Sequence, residues 1–297
     1  MSQPPQPTTT ASESIKCSVS DCWRALQKLR SDGPLVQCIT NYVSMDIMAN
    51  TLLAIGASPA MAHAEEEVEE FVPLASALVI NIGTLSNPWI KSMHKAAAKA
   101  HELGKVWVLD PVGVGATNLR TKTATDLVLS HKPTVIRGNA SEIMALAKNI
   151  CAALNVETSA GGQKGVDSSE SSDNALMPAQ ALASECHCVV VVTGEHDFVT
   201  DGTRVIKVSN GHPVLKMITA AGCTLTAVIA AFVCLEDPTD VNLVMKGCAC
   251  ALSVFGIAAE LAVKNPACKG PGSARMHMLD AYSGITIETL WNMAKFS

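Results

Sequence analysis

Short β-branched runs alternate with helical patterns along most of the chain. Runs at 35–39, 77–82, 106–109, 134–136 and 188–193 each stop at a polar or glycine residue, the pattern of a buried strand. Helical periodicity occupies 87–103, 118–130, 139–154 and 175–185, and again 222–235, 239–263 and 273–295. Residues 199–208 hold a DG turn at Asp201–Gly202 and predict a hairpin. Strand–helix alternation predicts an α/β fold: a mostly parallel central sheet with helices on both faces. No repeat of solenoid period interrupts it, and a single domain over 17–297 is expected. In such sheets ligands bind beyond the carboxyl ends of the strands, so those ends are where chemistry is sought.

Composition narrows the class. Of 297 residues 48% are hydrophobic, 16% charged and 4% aromatic, which excludes a disordered chain and a coiled coil. A formal charge of -5, from 22 Lys+Arg against 27 Asp+Glu, gives no electrostatic case for nucleic acid. One stretch, 217–235, carries no charge and reaches the length of about 18 residues at which a membrane span is considered. Its start, MITAAGCTLTAVIA, is rich in small and hydroxyl residues and lacks an aromatic belt, so a buried helix is expected and no membrane partner. The 11 cysteines include no CxxC pair; buried free thiols in a reducing, cytoplasmic compartment are expected. Cys186–His187–Cys188 leads directly into a strand, where successive side chains face opposite ways, so it is not read as a metal site. Residues 1–16 lack the apolar segment of a secretory signal and read as a disordered tail. The polar stretch 157–174 reads as a surface loop, and the glutamate-rich patch at 65–70 as a solvated helix face.

Four strand ends stand out. Asp110 closes one strand and opens the glycine-rich run DPVGVGAT, a place for a carboxylate to hold Mg²⁺ or for an ordinary turn. Arg137 ends another, ahead of Asn139 and Glu142, which match a helix capping box. A buried arginine there is costly without an anion. Thr193 and Gly194 terminate the apolar run before Glu195. Finally Ala220, Ala221, Gly222 and Cys223 open the uncharged helix, where backbone N–H groups at a helix start can hold an anion. The helix dipole there favours a Cys223 thiolate, whereas nearby phosphate charge opposes it. Together these are parts of a phosphoryl-transfer site, and the absence of GxxxxGK[ST] excludes a P-loop enzyme.

These residues resemble the hydroxyethylthiazole kinase family of the ribokinase-like superfamily, over roughly 34–280. The resemblance rests on CITNYV at 38–43, GASPAM at 56–61, NIGTL at 81–85, DPVGVGAT at 110–117, RGNASEIMAL at 137–146, VVVTGE at 190–195, the AAGCTLTAV helix start and GPGS at 270–273. It implies transfer of the γ-phosphate of ATP to the primary alcohol of 4-methyl-5-(2-hydroxyethyl)thiazole, a salvage step of thiamine biosynthesis. It also implies a homotrimer with the thiazole sites between subunits. By position, Arg137 and Thr193 would contact ATP, and Asp110 and Glu142 would hold Mg²⁺. Asn41, Met61 and the backbone at Ala220 would line the thiazole pocket. Cys223, with Gly222 and Ala221, would form the catalytic turn, at the place where sugar-kinase relatives carry a proton-accepting aspartate. The family turn usually begins with glycine, and Ala220 departs from it. Two other readings stay open: a sister kinase acting on hydroxymethylpyrimidine or pyridoxal, and a thiol enzyme using Cys223 with His63, His196 or His212. A non-enzymatic nucleotide-binding module would leave Asp110 and Glu142 without a purpose.

Overall fold

A computed structural model of the chain describes residues 15–156 and 171–297. The expected tail and the polar loop at 157–174 therefore fall largely outside the described residues. The sheet contains β1 (Leu35–Ile39), β2 (Ser58–Ala60), β3 (Ala77–Asn81), β4 (Val106–Asp110), β5 (Val135–Asn139), β6 (Val189–Thr193), β7 (Asp197–Thr200) and β8 (Val205–Val208). Their spatial order is β2-β1-β3-β4-β5-β6-β7-β8. Pairing is parallel from β2 to β6, and β7–β8 is the expected hairpin, appended antiparallel. The central strands are apolar on both sides because both faces are covered. β3 and β4 are buried at every position.

Two hydrophobic layers sandwich the sheet. One face is covered by α1 (Val19–Asp32), α2 (Met45–Ile55), α8 (Ala221–Val233), α9 (Val241–Lys264) and α10 (Pro271–Gly284). The other is covered by α4 (Asn87–Glu102), α5 (Asn118–His131), α6 (Ala140–Leu154) and α7 (Leu176–Cys186). The short α3 (Val68–Phe71) lies within the glutamate-rich patch, with Glu65 and Glu69 near Lys95.

The uncharged run begins at Met217, the last residue of a 3₁₀ turn, and its greater part forms α8, which packs on β1, β3 and β4 beneath α2 and α9. Ten of its thirteen helical residues are buried. Among the described residues, α9 is the helix long and apolar enough to cross a membrane by length and composition, and most of it is buried against α8 and α10. All 11 cysteines are unpaired.

Three differences from the sequence pattern have local causes. The stretch 273–295 is two helices, because Ile285 leaves the helical conformation and Thr286 starts α11 (Ile287–Met293) with its own capping box. α1 and α2 are additional elements; α1 is bounded by a Ser18–Asp21 capping box and by Gly33 in the left-handed conformation. β2 is too short, at three residues including Pro59, to show periodicity.

Candidate active site

The carboxyl ends of β1, β3, β4, β5 and β6 meet the start of α8. Chain order reverses between β1 and β3, since β2 lies on one side of β1 and β3 on the other. Asn41 follows β1 and Asn81 ends β3, so they flank this switch point. Asn41 Nδ2 donates to Asn81 Oδ1 at 2.8 Å and to Cys223 Sγ at 3.4 Å. Asn81 Nδ2 donates to Asp110 Oδ2 at 2.8 Å, and Thr226 Oγ1 of α8 donates to the same oxygen at 2.8 Å. One hydrogen-bonded web thus joins the ends of three elements to α8.

Asp110 is buried, and its Oδ1 has no partner. Desolvation pushes its carboxyl up to about 6; the Arg137 guanidinium opposes this, and Glu142 adds to it. Arg137 Nη1 lies 3.8 Å from Asp110 Oδ2, while Nη2 donates to Thr193 Oγ1 at 2.7 Å. The guanidinium also rests against the first turn of α8. A Cβ at Gly222 would stand 2.7 Å from Arg137 Nη1, so that position has no room for a side chain. Three of the sequence-derived residues, Asp110, Thr193 and Gly222, are therefore gathered around a fourth, Arg137.

The residues present fit a divalent ion in part. Asp110 Oδ1 is an unpartnered buried oxygen, the donor a hard cation seeks. Glu142 is more engaged: Oε1 accepts from Gly113 N and Oε2 from Asn139 N, both at 2.9 Å, the second completing a capping box at α6. No three His, Cys, Asp or Glu side chains converge as a metal cage among the described residues. That arrangement suits Mg²⁺, which takes many of its ligands from phosphate and water.

The α8 turn settles the question raised by Ala220. Its φ is 61° and ψ 11°, the left-handed region, where a Cβ costs on the order of 1 kcal/mol. Ala220→Gly is therefore expected to stabilise the protein by about 1 kcal/mol, raising Tm by roughly 2 °C. Thermal unfolding followed by circular dichroism checks this, and an unchanged or lower Tm would contradict it. The Ala221 amide donates to Ile218 O at 3.3 Å, so of the three catalytic-turn residues Gly222 and Cys223 are better placed to offer N–H groups.

Burial, and then the charge of Asp110, push the Cys223 thiol up to about 11. Desolvation outweighs the Asn41 and Asn81 hydrogen bonds and the Arg137 charge, which pull the other way, so the thiol form is favoured at pH 7. Ionisation of Cys223, which the sequence left open, is thus disfavoured. Two of the three candidate histidines are engaged elsewhere: His63 Nδ1 lies 2.8 Å from Met61 O, and His212 Nδ1 accepts from Val214 N at 3.1 Å. The third, His196, has a buried Nδ1 without a hydrogen-bond partner, in the turn between β6 and β7. Met61 itself is half-buried, immediately after Ala60, which pairs with Gln37 of β1.

A family model described as the hydroxyethylthiazole kinase family matches residues 26–288. The chain belongs to the hydroxyethylthiazole kinase family. Curated relatives include a hydroxyethylthiazole kinase from Zea mays, 49% identical over 275 residues, spanning 93% of this chain and 92% of that protein. One from Arabidopsis thaliana is 44% identical over 271 residues, spanning 91% and 92%. The solved structure of a hydroxyethylthiazole kinase protein from Pyrococcus horikoshii OT3 superimposes with a TM-score of 0.81 at 40% identity, covering 94% of this chain and 98% of that one. The pyridoxal kinase from Staphylococcus aureus, solved with AMP-PCP, shares the fold at 15% identity and TM-score 0.54, over 75% and 86%. The fold is thus that of the ribokinase-like kinases.

Four further residues of this hydroxyethylthiazole kinase family member reach the site without a sequence signal that isolates them. Asn81 lay inside a matched motif, and Thr226 inside an apolar helix. Arg120 of α5 donates to Ile82 O at 2.9 Å, Val112 O at 2.7 Å and Gly83 O at 2.7 Å, tying the loops after β3 and β4 together. Asp197 accepts from Gly194 N at 3.0 Å, and burial pushes its carboxyl up to about 7. Only tertiary proximity identifies them.

Proposed function

We propose that this chain transfers the γ-phosphoryl group of ATP to the primary alcohol of 4-methyl-5-(2-hydroxyethyl)thiazole, releasing ADP, in the salvage of thiamine precursors. The observation that carries the proposal is the convergence of Arg137, Asp110, Asn41 and the α8 turn at one sheet end, in a member of this family.

In the reaction the hydroxyethyl oxygen forms a bond to the γ-phosphorus as the bond to the β–γ bridging oxygen breaks. The Gly222 and Cys223 amides and Arg137 meet the charge on the transferring group, in a site where such donors are already fixed. Thr193 holds the Arg137 fork on its Nη2 side. Asp110 would hold Mg²⁺ through Oδ1, with Glu142 contributing from α6; bound there, the ion supplies neutralisation of phosphate charge. Asn41, Met61 and the backbone at Ala220 line the acceptor side, where an uncharged heterocycle meets no full charge. Cys223, protonated, positions the alcohol. The proton of the alcohol passes late, as a loose transition state permits, to an oxygen of the transferred phosphoryl group, so no strong base is needed.

A homotrimer with the acceptor site between subunits fits the exposed apolar pair that directly follows Asn41, Tyr42 and Val43. Eleven unpaired cysteines suit a reducing compartment such as the cytoplasm.

ADP release with purified protein, ATP, Mg²⁺ and a panel of alcohols tests the substrate. Turnover is expected with the thiazole alcohol; turnover confined to hydroxymethylpyrimidine or pyridoxal would reassign it to a sister kinase. In the same assay Cys223→Asp is expected to retain substantial phosphoryl transfer. A covalent thiol mechanism requires its complete loss in a folded variant.

A further inference from the structure

We propose that Asn81 and Thr226 are positioning residues that fix which oxygen of Asp110 is offered to a divalent cation. The inference rests on the role proposed above for Asp110. Asn81 is the register partner of Asp110 in the β3–β4 pair, and Thr226 approaches from the second turn of α8. Both side chains are fully buried.

The orientation of the Asn81 amide follows from its neighbours. Oδ1 accepts from Gly83 N at 2.9 Å, and a backbone N–H can only donate. Asn41 Nδ2 reaches that same Oδ1 at 2.8 Å. The amino group must therefore face Asp110, and it does so at 2.8 Å from Oδ2. Thr226 Oγ1 stands 2.8 Å from this oxygen, closer than its alternative acceptor, Gly222 O at 3.2 Å. Arg137 Nη1, at 3.8 Å, lies on the Oδ2 side as well.

Two donors and a cation are thus drawn to one carboxylate oxygen, and the other, buried, has none. A carboxylate free to rotate would share its donors between both oxygens. Holding it by one side reserves Oδ1 and spares the ordering of the ligand when the ion arrives. Because Thr226 belongs to the helix that begins at the anion turn, the same rigid element sets the carboxylate and the phosphate-facing amides. Partners of this kind, which touch a ligand and not the ion, typically tune metal affinity by about 10–100-fold.

Two substitutions separate this from a packing role. Asn81→Asp keeps the acceptor for Gly83 N and Asn41 but replaces the donor toward Asp110 with an oxygen. Thr226→Val removes one hydroxyl at nearly constant shape, and Thr226→Ser restores it. The readouts are Mn²⁺ affinity in the presence of a non-hydrolysable ATP analogue, by paramagnetic resonance, and the KM for the thiazole alcohol. Asn81→Asp and Thr226→Val are expected to bind Mn²⁺ at least about tenfold more weakly, with thiazole KM within about twofold and Thr226→Ser near the parent protein. Parental Mn²⁺ affinity in both folded variants, or a loss confined to thiazole KM, would overturn the proposal. Should Asn81→Asp fail to fold, the Thr226→Val and Thr226→Ser pair decides alone. Asp110→Asn, measured alongside, distinguishes the two readings. If it alone loses Mn²⁺, only the clamp is wrong; if it too binds as the parent does, the metal role of Asp110 falls and takes the clamp with it.

Discussion

Arg137→Met is expected to lower kcat/KM for phosphoryl transfer by about a thousandfold, the scale of losing a fixed charge at a transferring phosphoryl group. Arg137 is buried, hydrogen-bonded to Thr193 and pressed against Gly222, so its geometry is set before any substrate binds. Methionine preserves much of the volume and removes the fork. Some stability goes with it, on the order of 1–3 kcal/mol, because Asp110 loses its nearest cation. Arg137→Lys is expected to rescue little, since an ammonium cannot hold Thr193 and face Asp110 from two nitrogens. A chemically silent companion is Gly222→Ala. Its Cβ would fall 2.7 Å from Nη1 and displace the guanidinium, so kcat is expected to fall with every charged group still present. Steady-state kinetics on variants with confirmed folding checks both. Parental activity in Arg137→Met would remove the arginine from the mechanism.

Asp110→Asn is expected to cost at least a hundredfold in kcat/KM and to leave the fold intact or firmer. The two effects have one origin. Burial holds the carboxyl at about 6, above its ordinary value of 3.8, so the ionised form is less comfortable in the folded protein than in the unfolded chain. Below about pH 4 both states are protonated and this penalty vanishes; it grows as pH rises toward 6 and is complete at pH 7. Asparagine removes the charge and the penalty, and its carbonyl can still accept from Asn81 and Thr226. What it cannot do is offer an anionic oxygen at the Oδ1 position. Thermal unfolding of the metal-free variant at pH 5 and pH 7.5, beside the parent, is expected to show the larger relative gain at pH 7.5. Loss of Tm at pH 7.5 together with full activity would contradict both halves of the argument.

Much of the fold was legible because the central strands are buried on both faces and read as unbroken apolar runs. The expected starts and ends of those strands lie within three residues of the observed ones, the largest difference being the end of β5, at Asn139 against an expected 136. α1 had an equally clear physical signal, with Cys22, Ala25, Leu26 and Leu29 on one face and a capping box ahead of them. The division of 273–295 was also written locally, in Thr286 and Thr289. β2 had no such signal: three residues at an edge are held by pairing with β1, not by their own pattern.

At the site, residue types and motif placement marked Asp110, Arg137, Thr193, Gly222 and Cys223, since charge or glycine at the end of an apolar strand is conspicuous in one dimension. The sequence by itself determined the fold class, the family and the strand ends at which chemistry would gather. The state of each group was decided only by the tertiary structure. The left-handed backbone at Ala220, the protonated Cys223 and the single unpartnered oxygen of Asp110 all depend on what lies across the sheet. Cys223 is the clearest case. Its place at a helix start favours ionisation, but burial beside Asp110, contributed by a strand more than a hundred residues earlier, opposes it and wins. Local sequence fixes dipoles and dihedral preferences, whereas desolvation and charge–charge distance exist only once distant segments have packed together.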